Sequence, residues 1–339
     1  MEAVVTDRPD SGDSDAEFRD RRKGPRSDYA PQGTDTGTGW WPTVKRTGKE
    51  FMEDNLTDWA AALTYYSLLS FFPAVIAMVS LIGIFGDPKS TTSSLTEIIT
   101  EIGPESAAET FKGPIESITQ NRQTAGFALV FGILAAIWSA SGYVGAFMRA
   151  SNVIYETPEG RPFWKLRPLQ LLVTLLMIVL VTLLAVSLVL TGPVVEAVAD
   201  PLGIGQTAVD IWEIAKWPVM ALVFLLLLAI LYYASPNVKL RGFKAVTMGS
   251  LVAFVVWIVA SALFGLYVSN FGSYDKTYGT LAGLVALLVW FWISNLAILF
   301  GHQLNAEHER SLELAEGRPR AEREIQLEPR DEPKEKETT

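Results

Sequence analysis

Leu169-Gln-Leu-Leu-Val-Thr-Leu-Leu-Met-Ile-Val-Leu-Val-Thr-Leu-Leu-Ala-Val-Ser-Leu-Val-Leu190 contains no charged residue, and its reading decides the fold class. A hydrocarbon layer about 30 Å thick is crossed by roughly 20 helical residues, because each rises about 1.5 Å. So long an uncharged run has no place in a soluble core helix. A second run, Val219 to Leu231, has no polar side chain at all. Working outward from these two, apolar runs bounded by charge, Pro or Gly fall near 60–86, 125–148, 169–192, 217–235, 243–269 and 279–301. The sequence therefore predicts an all-α polytopic membrane protein, a bundle of six transmembrane helices occupying 51–310.

Composition agrees with this reading. The chain of 339 residues is 49% hydrophobic with mean hydropathy +0.25, although both of its ends are polar. Residues 1–50 read as a polar N-terminal tail, and within them 1–44 lack the apolar periodicity needed to offset ordering entropy. They hold no apolar h-region, so no cleavable signal is expected and the first span serves as an uncleaved anchor. Residues 311–339 read as a charged C-terminal tail. Acids and bases alternate there around Pro319, Pro329 and Pro333, which predicts a short helical extension that frays. A net charge of -9 argues against nucleic acid as a partner. Zero Cys removes disulfides, thiolate metal sites and Cys nucleophiles.

Orientation follows from the cations in the short loops. Lys45, Arg46 and Lys49 precede the first span; Arg149, Arg161, Lys165 and Arg167 separate the second from the third; Lys239, Arg241 and Lys244 separate the fourth from the fifth. The alternate loops offer only Lys216 and Lys276. Both termini are therefore expected in the cytoplasm, as an even span count requires. The first outer loop, 87–124, carries Leu95, Ile98, Ile99 and Ile102, then Phe111, Ile115 and Ile118 at helical spacing. It reads as a pair of amphipathic helices, either a cap on the bundle or a lipid-facing element.

Polar and small residues inside spans need a reason to be in lipid. The first span places Asn55, Trp59, Ala62, Tyr66, Ser70, Pro73, Ala77 and Ser80 on one face. Pro73 lacks an amide proton, leaves the carbonyl of Leu69 without its usual helical partner, and predicts a kink. Such a face lines either a polar pathway or a protein interface, and both readings stay open. Gly132, Ala136, Ser139, Gly142 and Ala146 form a small-residue face in the second span, and Gly279-xxx-Gly283 opens the sixth. Small residues at this spacing allow close helix approach. Asn295 seeks a hydrogen-bond partner deep in the sixth span, and His302 follows on the same face. A metal at His302 and His308 would need ligands from other helices, so no metal or cofactor is expected. Tyr232, Tyr233, Phe163, Trp164 and Tyr267 fall at span ends, as interfacial aromatic belts do.

The local words carry a resemblance. Leu63-Thr-Tyr-Tyr-Ser-Leu-Leu-Ser-Phe-Phe-Pro73, Trp138-Ser-Ala-Ser-Gly142, Arg161-Pro-Phe-Trp-Lys165, Tyr267 to Thr280 and Leu304-Asn-Ala-Glu307, in that order over about 50–310, resemble the YihY/virulence factor BrkB family of bacterial inner-membrane proteins. The resemblance implies six helices with both ends in the cytoplasm, and a transporter or permease. Some members carry an older ribonuclease BN label. Where relatives read Gly-Ala-Glu before Leu-Asn-Ala, this chain reads Gly301-His302-Gln303 and lacks the acid.

The chain has no GxSxG, HExxH or P-loop, and its short loops leave no room for a nuclease fold. No enzyme is expected. The function classes that remain are a transporter or lipid-handling protein, with membrane lipids as partners and a small-molecule or lipid substrate, and a scaffold acting through its tails. A homo-oligomer stays open. Reporter fusions after Arg167, after Lys239 and at the C-terminus are expected to read cytoplasmic, and one within 90–120 external. An external C-terminus rules out six spans.

Overall fold

The computed structural model describes residues 37–85, 122–189, 205–269 and 280–332. Seven α-helices lie among them: α1 Trp40–Glu53, α2 Leu56–Phe85, α3 Arg122–Ile154, α4 Phe163–Val189, α5 Gln206–Ala234, α6 Thr247–Ser269 and α7 Thr280–Ala315. A single 3-10 turn, Phe243–Val246, leads into α6. The helices α3 to α7 are each long and apolar enough to cross a membrane. The outer loop at 87–124, apart from its last three residues in α3, lies outside the described residues, as does Gly279.

Successive helices pair as hairpins, α2 with α3, α4 with α5 and α6 with α7, while α7 also packs along α2 and so joins the first and last pairs. Lipid offers no hydrophobic drive between helices, so close packing and interhelical hydrogen bonds must hold the pairs together. At the α6–α7 crossing a Cβ on Gly249 would lie 2.1 Å from the carbonyl oxygen of Gly301, and one on Gly301 would lie 2.4 Å from that of Gly249. The two backbones therefore touch. Farther along the pair, Trp257 Nε1 donates to Ser294 Oγ at 3.0 Å and Trp290 Nε1 to Ser261 Oγ at 3.3 Å. Around Gly283, where a close contact was expected, a built Cβ meets no described neighbour within 4 Å.

Hydrophobic packing concentrates at the end where α3 and α5 finish and α2, α4 and α6 begin. Leu56, Leu63, Phe147, Ile154, Tyr155, Leu228, Tyr232 and Leu299 are buried there. Charged loops close over it, so this is the polar end of the bundle. Helices run past their apolar stretches toward it: α7 continues from 301 to Ala315, with His302, Gln303, Asn305, Glu307, Glu309, Arg310 and Glu313 buried. Hydropathy ends at these polar residues, but the helix does not, because many of their side chains find partners on other elements.

Two further differences share that cause. α1 begins in the stretch expected to be a polar tail, 1–50, and ends three residues past it, and the face it buries is Thr43, Arg46 and Thr47. An apolar-periodicity reading passes over a helix of that kind. Asn55, in the left-handed region at φ 52, turns the chain from α1 into α2; Asn tolerates that region better than most residues.

The short helical extension expected after Ser311 runs to Ala315, and the chain beyond it folds back where fraying was expected. Gly317 at φ 68 ends α7, with Arg318 N–H donating to the Glu313 carbonyl at 3.0 Å and Gly317 N–H to that of Leu314 at 3.1 Å, the pattern of a Schellman cap. The chain then crosses the polar end with Ala321 and Ile325 buried. It forms an antiparallel bridge between Val238 and Pro329, flanked by Lys239 N–H to the Glu328 carbonyl at 2.8 Å and Arg330 N–H to that of Asn237 at 2.9 Å.

Gly249→Leu or Gly301→Leu is expected to abolish recovery of monodisperse protein in detergent, because the added side chain collides with backbone. Gly283→Leu is expected to leave it near the parental level. Size-exclusion profiles of the three variants check this.

Candidate functional site

Asn295 forms the polar centre of the bundle. It is buried on α7, its Oδ1 accepts the hydroxyl of Tyr143 at 2.9 Å, and its Nδ2 donates to Thr64 Oγ1 at 3.3 Å. Thr64 in turn donates to the Ala60 carbonyl at 2.8 Å. One amide thus joins α2, α3 and α7, as expected of a polar side chain that cannot turn to water.

One turn along α2 from Thr64, Ser67 donates to the Leu63 carbonyl at 3.0 Å, and Ser70 to that of Tyr66 at 2.9 Å. Their hydroxyls are spent on their own helix. The Tyr66 ring packs over Gly142, where a Cβ would sit 3.0 Å from Cδ1 and Cε1. Pro73 stands inside α2, half-buried like Tyr66 and Ser70. The structure therefore brings Asn295 to Thr64 and Tyr143, whereas the Ser70 hydroxyl is bound to its own helix. Gly132 is buried and Ser139 half-buried on α3.

An aromatic column leads from Asn295 to the polar end. Tyr143 stacks on Phe147 at 6.5 Å between ring centroids. Phe147, Tyr155 and Tyr232 surround His302 at 5.4, 5.4 and 4.6 Å. His302 is fully buried rather than interfacial, and neither ring nitrogen has a hydrogen-bond partner among the described residues. Tyr232, expected in an aromatic belt, belongs to this column and donates to the Ile298 carbonyl at 2.6 Å. Its neighbour Tyr233 is exposed.

The polar end is tied by charges. Glu307 accepts from Arg46 Nε at 3.1 Å and from Arg310 Nε at 3.0 Å, and Arg310 Nη2 reaches Glu156 Oε1 at 2.9 Å. Arg241 Nε stands 3.0 Å from Glu309 Oε2 but without hydrogen-bond alignment. Asn305 acts as a cap supplied by another helix: its Oδ1 accepts from Gly249 N–H at 2.8 Å in the first turn of α6, and its Nδ2 donates to the Val246 carbonyl at 3.3 Å.

Arg161 spans two oxygens of Glu159 at 2.7 Å each and donates to the Ser235 carbonyl at 2.8 Å, closing the C-terminus of α5. Asn152 joins this knot through Glu159 Oε2 at 2.9 Å and Asn237 N–H at 2.8 Å. Sequence reasoning missed Thr64, Tyr143, Glu156 and Glu159. Thr64 lies inside the Leu63–Pro73 word and Tyr143 directly follows Gly142, so position gave a signal, although pairing did not.

The fold and this interior define a helical multi-pass membrane protein. The model of the family described as virulence factor BrkB matches residues 47–325, and the chain belongs to that family. It is 32% identical to the ribonuclease-like protein YfkH of Bacillus subtilis (strain 168) over 260 residues, 77% of this chain and 92% of the relative. A UPF0761 membrane protein of Aeromonas salmonicida (strain A449) is 28% identical over 76% of this chain and 85% of its own length. One from Alteromonas mediterranea is 28% identical over 75% and 83%. No solved structure matches. With these relatives, the chain is a multi-pass bacterial membrane protein.

Burial raises the Glu159 carboxyl, but the hydrogen bonds and charge of Arg161 outweigh it and hold the group below the usual carboxylate range. Stability from this pair is therefore present above the unfolded carboxylate pKa and is lost as pH falls through the lowered native value. Arg161→Gln is expected to move the acid-unfolding midpoint to higher pH, as a pH titration of tryptophan fluorescence would show.

Proposed function

We propose that the chain is a transporter, permease-like or lipid-handling protein with six crossing helices and both termini in the cytoplasm. In this reading α2 supplies the first crossing, 51–310 form the transmembrane domain, and 1–50 and 311–339 lie outside it. The substrate, a small molecule or lipid, is handled along the seam of α2, α3 and α7. Asn295 carries this reading: a buried amide held between Thr64 and Tyr143, beside the half-buried face of Tyr66, Ser70 and Pro73. The free carbonyl opposite Pro73 adds a further polar group to that face. His302 lies farther along the same side of α7.

Two observations bear on the alternatives. The Bacillus relative's name suggests a nuclease, and phosphodiester hydrolysis usually calls for metal-holding carboxylates or imidazoles. No group of three His, Asp or Glu side chains able to hold a metal occurs among the described residues. For a scaffold acting through free tails, residues 318–332 are ill placed, because they are folded onto the bundle itself.

The test is flux in liposomes, with an NBD-labelled phospholipid for translocation and trapped small solutes for permeation. Asn295→Leu and Pro73→Ala are expected to abolish whichever flux the parent shows. Losing two interhelical hydrogen bonds lowers stability by only about 1–2 kcal/mol, so insertion and yield should hold. Single Cys residues at 66, 70 and 295 in this Cys-free chain should react with a membrane-impermeant thiol reagent. Absence of flux with complete protection at all three positions favours the scaffold.

A further inference from the structure

Away from Asn295, the side of α3 that meets α4 gathers hydrogen-bond donors. Gly145 lies two residues beyond Tyr143, about 200° around the helix, and is buried. A Cβ on Gly145 would lie 3.1 Å from Gln170 Nε2 of α4 and 3.8 Å from Arg149 Nη1. Both donors therefore converge where the glycine has no side chain. From α4 itself, Arg167 Nη1 donates to Gln170 Oε1 at 3.3 Å. The amide is thus held with its oxygen taken and its nitrogen turned toward Gly145.

No acceptor answers these donors. Gln170 is only 5% exposed, and its side chain bonds among the described residues through Oε1 alone. Arg149 makes neither a hydrogen bond nor an ion pair among the described residues, and Arg167 has no carboxylate partner there. The two acids of the intervening loop are committed elsewhere, Glu156 to Arg310 and Glu159 to Arg161. Arg149 also points away from bulk water. Gly145 is one turn farther from the polar end, so the guanidinium reaches back along the bundle, whereas an arginine at a membrane edge ordinarily extends outward to water.

We propose that this cleft between α3 and α4 binds the phosphate of an anionic phospholipid headgroup. Guanidinium groups offer paired N–H donors that match phosphate oxygens, and a set made only of donors suits an anion. Level selects lipid as the source of that phosphate. On α4 the exposed leucines begin at Leu171 and Leu172, directly after Gln170, while on α3 the exposed large apolar residues end at Trp138, on the apolar side of Arg149. The two arginines therefore stand between the acyl-facing surface and the charged loop. With Gln170 Oε1 taken by Arg167, a choline or ethanolamine ammonium finds no counter-charge, which favours anionic headgroups over zwitterionic ones. Such a seat would serve a transporter and a scaffold alike.

The experiment is native mass spectrometry of the full chain in detergent with phosphatidylglycerol, phosphatidylcholine or phosphatidylethanolamine added at equal concentration. Phosphatidylglycerol is expected to be retained preferentially. Arg149→Gln with Arg167→Gln should weaken its apparent affinity about twentyfold, each arginine accounting for roughly fivefold. Arg149→Lys with Arg167→Lys keeps both charges and should recover part of that loss, since an ammonium cannot pair with a phosphate bidentately. Arg320→Gln with Arg323→Gln removes two exposed cations from the C-terminal segment and should leave retention unchanged.

Equal retention of the three lipids, or retention that survives loss of Arg149 and Arg167, overturns the proposal, as does an equal loss from the Arg320 and Arg323 variant. Excess inorganic phosphate is expected to leave the lipid bound. Displacement of the lipid by phosphate adducts that require both arginines keeps the anion site and assigns it to a soluble phosphate. Unchanged circular dichroism and size-exclusion behaviour show that each variant is folded.

Discussion

The polar end of this protein depends on one carboxylate. Glu307 is fully buried and is shared between Arg46 of α1 and Arg310 one turn along α7. A charge removed from water is tolerated when opposite charges and hydrogen bonds surround it, and here each arginine carries the linkage onward. Arg46 seats α1, while Arg310 reaches Glu156 at the end of α3. The second oxygen of Glu156 accepts the Ile325 N–H at 3.3 Å, which brings in the C-terminal segment. Removing Glu307 would take one carboxylate partner from each of two buried cations belonging to separate parts of the chain.

Lipid makes the apolar part of the fold legible and leaves the polar part obscure. A helix surrounded by acyl chains must be apolar along its whole length, so 169–190 reveals itself without any partner being known. The segments at the polar end follow another rule. Arg46 and Glu307, or Glu156 and Arg310, lie far apart in sequence, and no periodicity within either segment signals that they meet. That is why α1 and the segment after Ala315 resemble tails when read alone. Tyr232 and Tyr233 make the same point at single-residue scale, because a helix turns about 100° per residue. Adjacent tyrosines therefore face the core and the surroundings respectively, and only the partners of α5 decide which is which.

The candidate site was partly legible for a related reason. Asn295 stood out because an amide in a long apolar run must be paired. Its partners did not stand out, since Thr64 and Tyr143 are ordinary residues until the helices are placed side by side. Ser70 and Tyr66 lie on the anticipated face of α2, yet helix geometry gives the serine hydroxyl a nearer acceptor four residues back. The close approach at Gly249 and Gly301 was also hidden: Gly249 and Ala253 have the small-residue spacing, but the partner Gly301 lies between Phe300 and His302.

The fold-back of residues 318–332 bears on how the protein is assembled. Those residues follow all the described helices in chain order, yet they complete the hydrogen bonding of a turn made much earlier. Asn237 donates through Nδ2 to the Asp331 carbonyl at 2.8 Å and accepts from Asp331 N–H at 3.2 Å, and Arg330 Nε donates to the Val238 carbonyl at 2.9 Å. Until this segment folds back, the backbone of the α5–α6 turn lacks these partners. The order of the chain thus makes the α5–α6 turn wait for a segment that α7 must first deliver to the polar end.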